Sequence, residues 1–402
     1  MIALDDAIAP DVLVAQFRRT LAAEGHGPIV VARAPGRVNL IGEHTDYNEG
    51  YVLPVAVDRQ IIMVGQRARE DQEGKRMVRL VSRNFGRQAL FDLDDRRRET
   101  SGATWVNYPQ GVADVLERAG YTLPPMNILV WGNVPLGAGM SSSAAFEVAS
   151  IGLFTQLMGV DLDPRDEVLK AQQAENEFVG VQCGVMDQFI SRMGAADHAL
   201  LLDCRSLEYQ QVPMALPGVR LGVCHSGVSR GLTSSAYNQR RDECAQGVAI
   251  LQRRLPHVRA LRDVTPADLQ RYGAELPPVA QRRCRHVVEE DERVQQAAVA
   301  LRAGDLETLG RLFATSHASL RDLYEVSSPE LDALVEIATA TPGVVAARLT
   351  GAGFGGCTVN LVRDEAWPEF QRRIESEYPA RTGKQPKVYA CEVVDGAWVW
   401  EA

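Results

Sequence analysis

The chain has 402 residues, 46% hydrophobic and 24% charged, with a formal net charge of −9. Its length suits two or three globular domains, and its acidic balance excludes nucleic acid as the main partner, since no basic excess neutralises phosphates. Seven scattered cysteines without a Cys-x-x-Cys pair favour the reducing cytoplasm over a disulfide framework or a zinc site. We expect neither a signal peptide nor a membrane-spanning helix or membrane partner.

A short strand near the N terminus leads into a strongly polar loop. We expect a helix from Asp11 to about Ala23, then a strand over residues 29–34 that Pro35 and Gly36 bring to an end. The next eleven residues contain Arg37, Asn39, Glu43, His44, Asp46 and Tyr47. Because each sugar hydroxyl both donates and accepts, such a loop suits a polyhydroxylated ligand; a solvated loop of mutually paired charges is the alternative.

Alternating apolar residues predict strands over 51–57, 60–64, 77–81 and 89–92. The charged residues 69–76 are interpreted as a solvated hairpin tip between two of them. A helix is expected from about Trp105 to Arg118. Trp105 or Tyr108 could flank an adenine, although packing in the core is favoured.

A glycine- and serine-rich loop occupies residues 134–146, between a predicted strand over 127–131 and a helix that begins near Ala144. Gly137 and Gly139 permit close approach of the backbone to a ligand, and free N–H groups at the helix start make an anion site. A phosphate-binding loop and an ordinary serine-capped turn remain equally open from these residues alone. A Walker A loop is excluded because no lysine lies in it, and a dinucleotide fingerprint is excluded because Ser142 replaces its third glycine.

Two acidic residues follow on predicted helices. Glu175, on a helix from Arg165 to about Val179, is a candidate Mg²⁺ ligand, although a solvated helix face is favoured for any single helical glutamate. Asp187 stands among apolar residues just after Gly184, where it is either a helix cap or a functional acid. A domain junction is expected near Pro213, which divides the chain into residues 1–212 and 213–402.

The second half is mainly helical and ends in a strand–strand–helix–strand series. A run with four glycines, residues 351–356, joins strands over 344–350 and 357–362. It is either a tight hairpin or a loop that approaches a ligand. Together, an anion loop, a polyol loop with an arginine, an aspartate and a helical glutamate are the groups that phosphoryl transfer to a sugar hydroxyl requires.

With these motifs, the chain resembles the galactokinases of the GHMP small-molecule kinase superfamily. Residues 36–47 match the galactokinase motif, residues 135–145 resemble the superfamily's ATP loop, and residues 351–357 resemble its third motif. The resemblance spans about residues 30 to 362. It implies an α+β fold of two domains: an N-terminal domain with a mainly antiparallel sheet and helices, and a ferredoxin-like C-terminal domain, with the active site between them.

The resemblance also implies a role for each site residue. Asp187 is the expected base for the anomeric hydroxyl of galactose, and Arg37 is expected to orient that hydroxyl, hold Asp187 ionised and stabilise developing phosphoryl charge. The expected sugar ligands are Glu43, His44, Thr45, Asp46, Gly184 and Tyr237. The expected ATP-binding residues are Gly137, Ala138, Gly139, Met140, Ser141, Ser142 and Ser143. Ser143 and Glu175 are expected to bind Mg²⁺, the cofactor used with ATP, and we expect a cytoplasmic monomer.

The chain departs from relatives at a few positions: Asp291 replaces a common asparagine, Leu323 replaces an aspartate, and Ala145-Phe146 often reads Ser-Leu. None is a proposed catalytic group. Two alternatives stay open at this stage. The acceptor could be another GHMP substrate such as N-acetylgalactosamine or arabinose, and the protein could be a catalytically silent galactose sensor, although its ATP loop has no gap.

Overall fold

The computed structural model describes residues 8–402 apart from 136, 138, 215 and 229–232, and omits the side chains of 233–235. Strands and helices are numbered in chain order. The strands are β1 (Gly25–Asn39), β2 (Tyr51–Val52), β3 (Pro54–Ala68), β4 (Met77–Ser82), β5 (Arg87–Asp92), β6 (Met126–Gly132), β7 (His198–Asp203), β8 (Tyr209–Pro213), β9 (Val219–His225), β10 (Val344–Thr350), β11 (Cys357–Arg363), β12 (Lys387–Cys391) and β13 (Trp398–Glu401). The α-helices are α1 (Pro10–Thr20), α2 (Asn107–Arg118), α3 (Ser142–Met158), α4 (Pro164–Gln173), α5 (Met186–Met193), α6 (Thr233–Leu251), α7 (Pro266–Tyr272), α8 (Pro278–Ala303), α9 (Leu306–Asp322), α10 (Pro329–Thr339) and α11 (Trp367–Thr382).

The first half is built on a six-stranded sheet in the order β13-β1-β3-β6-β4-β5. All pairings are antiparallel except that of β4 with β6. Helix α3 is apolar all round and buried, as expected of a central helix, and it packs against β1, β3 and α2. Its N-terminal end therefore has a fixed position close to the end of β1.

The second half contains a four-stranded antiparallel sheet in the order β10-β11-β9-β12. Chain order β9, helices, β10, β11, α11 and β12 with this spatial order is the ferredoxin-like βαββαβ arrangement. The expected α+β fold with a mainly antiparallel first sheet and a ferredoxin-like second unit is therefore confirmed. Among the described residues, no helix combines the length and apolarity needed to cross a bilayer.

The structure differs from the predicted elements in four main respects. The strands predicted over 51–57 and 60–64 are instead the short β2, Tyr51–Val52, and one long strand, β3, Pro54–Ala68. β1 does not end at Pro35 but continues to Asn39, with a register shift between Pro35 and Arg37. The predicted hairpin around residues 69–76 is wrong, because β6 lies between β3 and β4 in the sheet. Residues 69–75 are nevertheless exposed as predicted, whereas Arg76 is half-buried and pairs with Asp94 and Glu117. The helix expected from Arg165 to Val179 ends at Gln173 and is followed by one π-helical turn, Ala174–Val179.

The last strand returns to the first half. Residues 30–33 of β1 pair with residues 398–401 of β13, so the C-terminal segment completes the first sheet. The division of the chain at residues 212 and 213 stays a prediction.

Candidate active site

A cavity of about 310 Å³ lies where the two halves meet. It brings together residues from the end of β1 and the polar loop after it, the glycine–serine loop, the π turn, the start of α5, helix α6 and the β10–β11 turn. The lining includes Arg37, Glu43, His44, Asp46, Tyr108, Gly137, Gly139, Met140, Ser141, Ser142, Ser143, Glu175, Cys183, Gly184, Asp187, Tyr237, Gly351 and Ala352. Nearly every predicted site residue is therefore at one cavity.

The irregularity in β1 positions Arg37. A Cβ atom on Gly36 would lie 2.6 Å from the Met140 carbonyl oxygen, so only glycine allows this approach of β1 to the glycine–serine loop. The Arg37 backbone N–H donates to that same carbonyl at 3.1 Å. Turn-forming residues at 35 and 36 thus mark a bulge within a strand rather than its end.

Asp187 and Arg37 form a bidentate ion pair. Arg37 Nε donates to Asp187 Oδ1 at 2.7 Å and Arg37 Nη2 donates to Asp187 Oδ2 at 2.7 Å. The guanidinium also donates to the Gly139 carbonyl, and the Ser141 hydroxyl donates to Asp187. The N-cap of α5 is Val185 and makes no side-chain cap, so the helix-cap interpretation of Asp187 is wrong.

The glycine–serine loop reaches the cavity through its backbone. Gly137 and Gly139 have positive φ angles of 68° and 78°, which glycine adopts without strain. Ser141 also has a positive φ of 55° and stands at the N-cap of α3, with no side-chain cap of its own. Ala138, an expected ATP contact, lies outside the described residues.

Glu175 is buried rather than on a solvated helix face, at 6% exposure. It lies in the π turn, and Gln188 Nε2 donates to Glu175 Oε2 at 2.7 Å and to Glu147 Oε2 at 2.9 Å. Burial and the nearby charge of Asp187 raise the pKa of Glu175, while a hydrogen bond from Ser143 lowers it. The two predicted Mg²⁺ ligands, Glu175 and Ser143, are thus adjacent.

Glu43 is held by residues that sequence reasoning missed. The fully buried guanidinium of Arg348 on β10 pairs with Glu43 and donates to the Leu40 carbonyl at 2.8 Å. The Gly351 N–H donates to Glu43 Oε1 at 3.0 Å. The sequence signal that could have indicated this role is the single arginine, Arg348, in the mainly apolar run 344–350. Glu43 therefore presents only its remaining hydrogen-bonding capacity to the cavity.

Asp46 and Gly184 lie against each other at the cavity wall. A Cβ atom on Gly184 would lie 2.0 Å from Asp46 Oδ2, so any larger residue there would displace the Asp46 side chain. Burial, followed by the charge of Asp187, raises the pKa of Asp46 to about 7. Thr45 does not line the cavity; its hydroxyl lies 2.6 Å from the Tyr51 carbonyl and 2.8 Å from the Gly42 carbonyl, and it stabilises the loop.

A smaller, mainly apolar cavity of about 110 Å³ adjoins the first and shares Tyr108, Ser142 and Ser143 with it. Trp105 and Tyr108 contact Phe146 on α3, with ring centroids 6.2 Å and 6.4 Å apart. The two aromatic residues therefore both pack against α3 and line a cavity.

The glycine-rich turn between β10 and β11 is both a tight hairpin and a loop that reaches the cavity, so both predictions for residues 351–356 apply. It joins two antiparallel strands, and Gly351 and Ala352 also line the main cavity. The Ala352 carbonyl lies 3.2 Å from His44 Nε2, so this turn and the first motif meet directly.

Comparisons with known proteins agree with this geometry. A galactokinase galactose-binding signature matches residues 15–67, and the N-terminal and C-terminal GHMP kinase domains match residues 107–195 and 297–380. The galactokinase of Roseiflexus sp. (strain RS-1) is 49% identical over 372 residues, 92% of this chain and 93% of that protein.

Solved structures resemble the whole chain. The crystal structure of Lactococcus lactis galactokinase complexed with galactose has a TM-score of 0.90 and 33% identity, covering 97% of this chain and 99% of that one. Methanococcus jannaschii mevalonate kinase, at 16% identity and a TM-score of 0.65 over 91% of this chain and 98% of that one, shares the fold. The fold and the paired domains define a GHMP kinase. Within that class, the chain belongs to the galactokinase family.

Proposed function

We propose that the protein transfers the γ-phosphoryl group of ATP to the anomeric hydroxyl of α-D-galactose and forms galactose 1-phosphate. The observation that carries this proposal is the bidentate Arg37–Asp187 pair, which stands where the polyol motif meets the glycine–serine loop. A phosphoryl acceptor and a phosphoryl donor bound to these two loops would meet at that pair.

Asp187 is proposed to accept the proton of the anomeric hydroxyl as its oxygen attacks phosphorus. Arg37 holds the Asp187 carboxylate in place through two hydrogen bonds and supplies positive charge to the transferring group. Since phosphoryl transfer has a loose transition state, positioning by these residues contributes alongside proton removal.

We propose that the triphosphate binds at the glycine–serine loop. The loop offers backbone N–H groups at the N-terminal end of α3, where the helix dipole favours anions. The adjoining apolar cavity, with Trp105 and Tyr108, suits the adenine ring. This assignment includes Gly137–Ser143, of which Ala138 lies outside the described residues.

The donor set beside this loop fits Mg²⁺. Glu175 and Ser143 supply carboxylate and hydroxyl oxygens, which are hard ligands, and the buried Glu147 Oε1 nearby has no hydrogen-bond partner among the residues that the structure describes. The described residues contain no group of three or more His, Cys, Asp or Glu that could hold a metal ion by itself, and Mg²⁺ characteristically needs few protein ligands because phosphates and water complete its shell. When bound, it would neutralise phosphate charge.

We propose that Glu43, His44, Asp46, Gly184 and Tyr237 surround the sugar, with Thr45 acting through the shape of the loop. None of the seven cysteines, all of which lie in the described part of the chain, forms a disulfide, which accords with a cytoplasmic enzyme, and we propose that it acts as a monomer. We also propose residues 1–212 and 213–402 as its two domains, with β13 returned to the first sheet.

The test is a phosphorylation assay with ATP and Mg²⁺ across galactose, N-acetylgalactosamine, arabinose and mevalonate, with the product position read by phosphorus NMR. We expect turnover with galactose and a phosphate on its anomeric oxygen. Turnover with another acceptor and none with galactose would overturn the substrate assignment. Binding of galactose and ATP without turnover would instead indicate a sensor.

A further inference from the structure

A continuous hydrogen-bond chain extends from the cavity wall into the second half. Tyr47 OH lies 2.8 Å from His44 Nδ1, Tyr324 OH lies 2.7 Å from Tyr47 OH, and Cys244 Sγ lies 3.2 Å from Tyr324 OH. At the other end, His44 Nε2 lies 3.2 Å from the Ala352 carbonyl oxygen. Of these five residues, only His44 and Ala352 line the cavity.

For a neutral His44, the direction of every hydrogen bond in this chain is determined. A carbonyl oxygen only accepts, so His44 Nε2 carries the hydrogen and Nδ1 is the acceptor. Tyr47 then donates its single hydrogen to Nδ1, and Tyr324 must donate to Tyr47. Cys244 in turn must donate its thiol hydrogen to Tyr324.

The groups of the chain keep their hydrogens at neutral pH. Burial raises the pKa values of Tyr47 and Tyr324 well above the usual range. Burial also raises the pKa of the Cys244 thiol to about 11, so it remains an S–H donor. Each hydroxyl or thiol therefore has one hydrogen to donate, as the direction of the chain requires.

The backbone and ring packing hold His44 where the chain can act on it. His44 has a left-handed φ of 65°, and Asn48 Nδ2 donates to its carbonyl at 2.8 Å. Its ring packs against Tyr324 and Tyr237, with centroids 4.7 Å and 5.5 Å away. One side of the His44 ring contacts the hydrogen-bond chain, and the other side faces the cavity.

We propose that Tyr47, Tyr324 and Cys244 are positioning residues that, together with the Ala352 carbonyl, hold the His44 ring in its orientation as the Nε2–H tautomer, so that the imidazole presents a hydrogen-bond donor to the sugar at the cavity wall. This rests on the proposed function, because it assigns His44 to the sugar site. The sugar oxygen that meets His44 then serves as an acceptor and shares the Nε2–H group with the Ala352 carbonyl.

The tautomer is measured by nitrogen NMR on the full chain carrying ¹⁵N-histidine, with His44 assigned by the signal lost in His44→Gln. We expect hydrogen on Nε2 and none on Nδ1 in the wild type; in Tyr47→Phe the Ala352 carbonyl still favours hydrogen on Nε2, but the Nδ1 resonance should shift because its hydrogen-bond donor is lost. Hydrogen on Nδ1, or on both nitrogens, in the wild type would overturn the proposal. This readout needs no turnover, so a failure of the proposed function is separately visible in the galactose assay.

Kinetics of graded variants provide the second readout. Tyr47→Phe should raise KM for galactose about threefold to tenfold, the value of one net hydrogen bond, and leave kcat and KM for ATP within about twofold. Tyr324→Phe and Cys244→Ala should have smaller effects in the same direction, because they remove donors further from His44. If Tyr47→Phe does not fold, Tyr324→Phe carries the test.

Cys244→Ser separates positioning from packing. Serine keeps a donor at the end of the chain, so it should restore the galactose KM to within about twofold of the wild type. Cys284→Ala, at another buried cysteine of the same hydrophobic cluster, is the matched control and should leave the galactose KM unchanged. Equal effects of the serine and alanine variants, or an effect of Cys284→Ala equal to that of Cys244→Ala, would overturn the proposal.

Discussion

The two walls of the cavity are built in different ways. The wall proposed to bind the sugar, called the sugar wall below, consists of side chains that are already paired, such as Glu43 with Arg348 and His44 with Tyr47. The wall proposed to bind the triphosphate, called the phosphate wall below, is formed largely by backbone, at two glycines with positive φ and at the N-terminal end of α3. Substitutions should therefore act through lost side-chain contacts on the first wall and through backbone conformation on the second.

The two walls also differ in which parts of the chain form them. The phosphate wall comes from the first half alone, whereas the sugar wall needs both halves. Arg348 of β10 holds Glu43, and Glu290 of α8 accepts from the Gly42 N–H at 3.1 Å. Sugar binding should therefore depend on how the halves are placed, and ATP binding much less.

The largest effect is expected where the walls meet. Asp187→Ala should lower kcat by about 10³-fold, because it removes both the proposed base and the partner of Arg37. ATP affinity, measured by equilibrium dialysis, should change little. A variant with unchanged turnover would remove Asp187 from the base role.

The second-largest effect is expected on the Mg²⁺ concentration that activity requires, through a residue of the phosphate wall. Glu175→Gln should raise the Mg²⁺ concentration for half-maximal activity about tenfold to 100-fold and leave KM for galactose unchanged. Glu177→Gln is the control, since Glu177 lies two residues away, is exposed, and pairs with Arg118 at 2.7 Å. Identical Mg²⁺ titrations for wild type and Glu175→Gln would exclude Glu175 as a ligand.

A pair of glycine substitutions tests the two walls separately. Gly184→Ala should raise KM for galactose about tenfold, because its Cβ would lie 2.0 Å from Asp46 Oδ2. Gly139→Ala should instead raise KM for ATP about fivefold to tenfold, since alanine at a φ of 78° costs about 1–2 kcal/mol. Equal effects of either variant on both substrates would contradict the separation of the walls.

The smallest effect on activity is expected at Asp291, in the second half. Asp291 Oδ1 accepts from the Tyr51 N–H at 2.8 Å, and burial raises its pKa from 3.8 to about 7. Between these values the folded state binds more protons than the unfolded state, so the free energy of unfolding falls as pH rises. An asparagine side chain in the same place has no proton to lose.

Asp291→Asn should therefore gain stability over the wild type by up to about 1 kcal/mol per pH unit between pH 4 and 7, with no further gain above. Urea unfolding at several pH values measures this difference, and kcat and both KM values should remain unchanged. Parallel stability profiles for the two proteins would show that Asp291 does not titrate in this way.

Much of the site could be predicted because its loops are locally distinctive. Clusters of glycine and polar residues marked the first motif, the glycine–serine loop and the β10–β11 turn. The Arg37–Asp187 pair joins residues 150 positions apart, so their contact depends on the tertiary fold. Only the family resemblance linked these two residues before the structure.

Other features carried no local signal that could be interpreted alone. Arg348 is the one charged residue of an apolar strand and Gln188 is one of several polar residues on α5, and the partners of both come from other segments. Pro35 and Gly36 were interpreted as a strand end because both residues favour turns. Pairing with β3, which carries β1 past them, depends on the tertiary fold and is not visible in the local sequence. The prediction of a hairpin at residues 69–76 was wrong because a strand later in the chain, β6, lies between β3 and β4.

The position of β13 has a consequence for synthesis. Residues 30–33 of β1 pair on that side with residues 398–401, which leave the ribosome more than 360 residues later. Until then, this edge of β1 has unpaired N–H and C=O groups, the type of strand edge that promotes association between chains. The sheet that supports Arg37 can therefore be completed only after the second half has been translated.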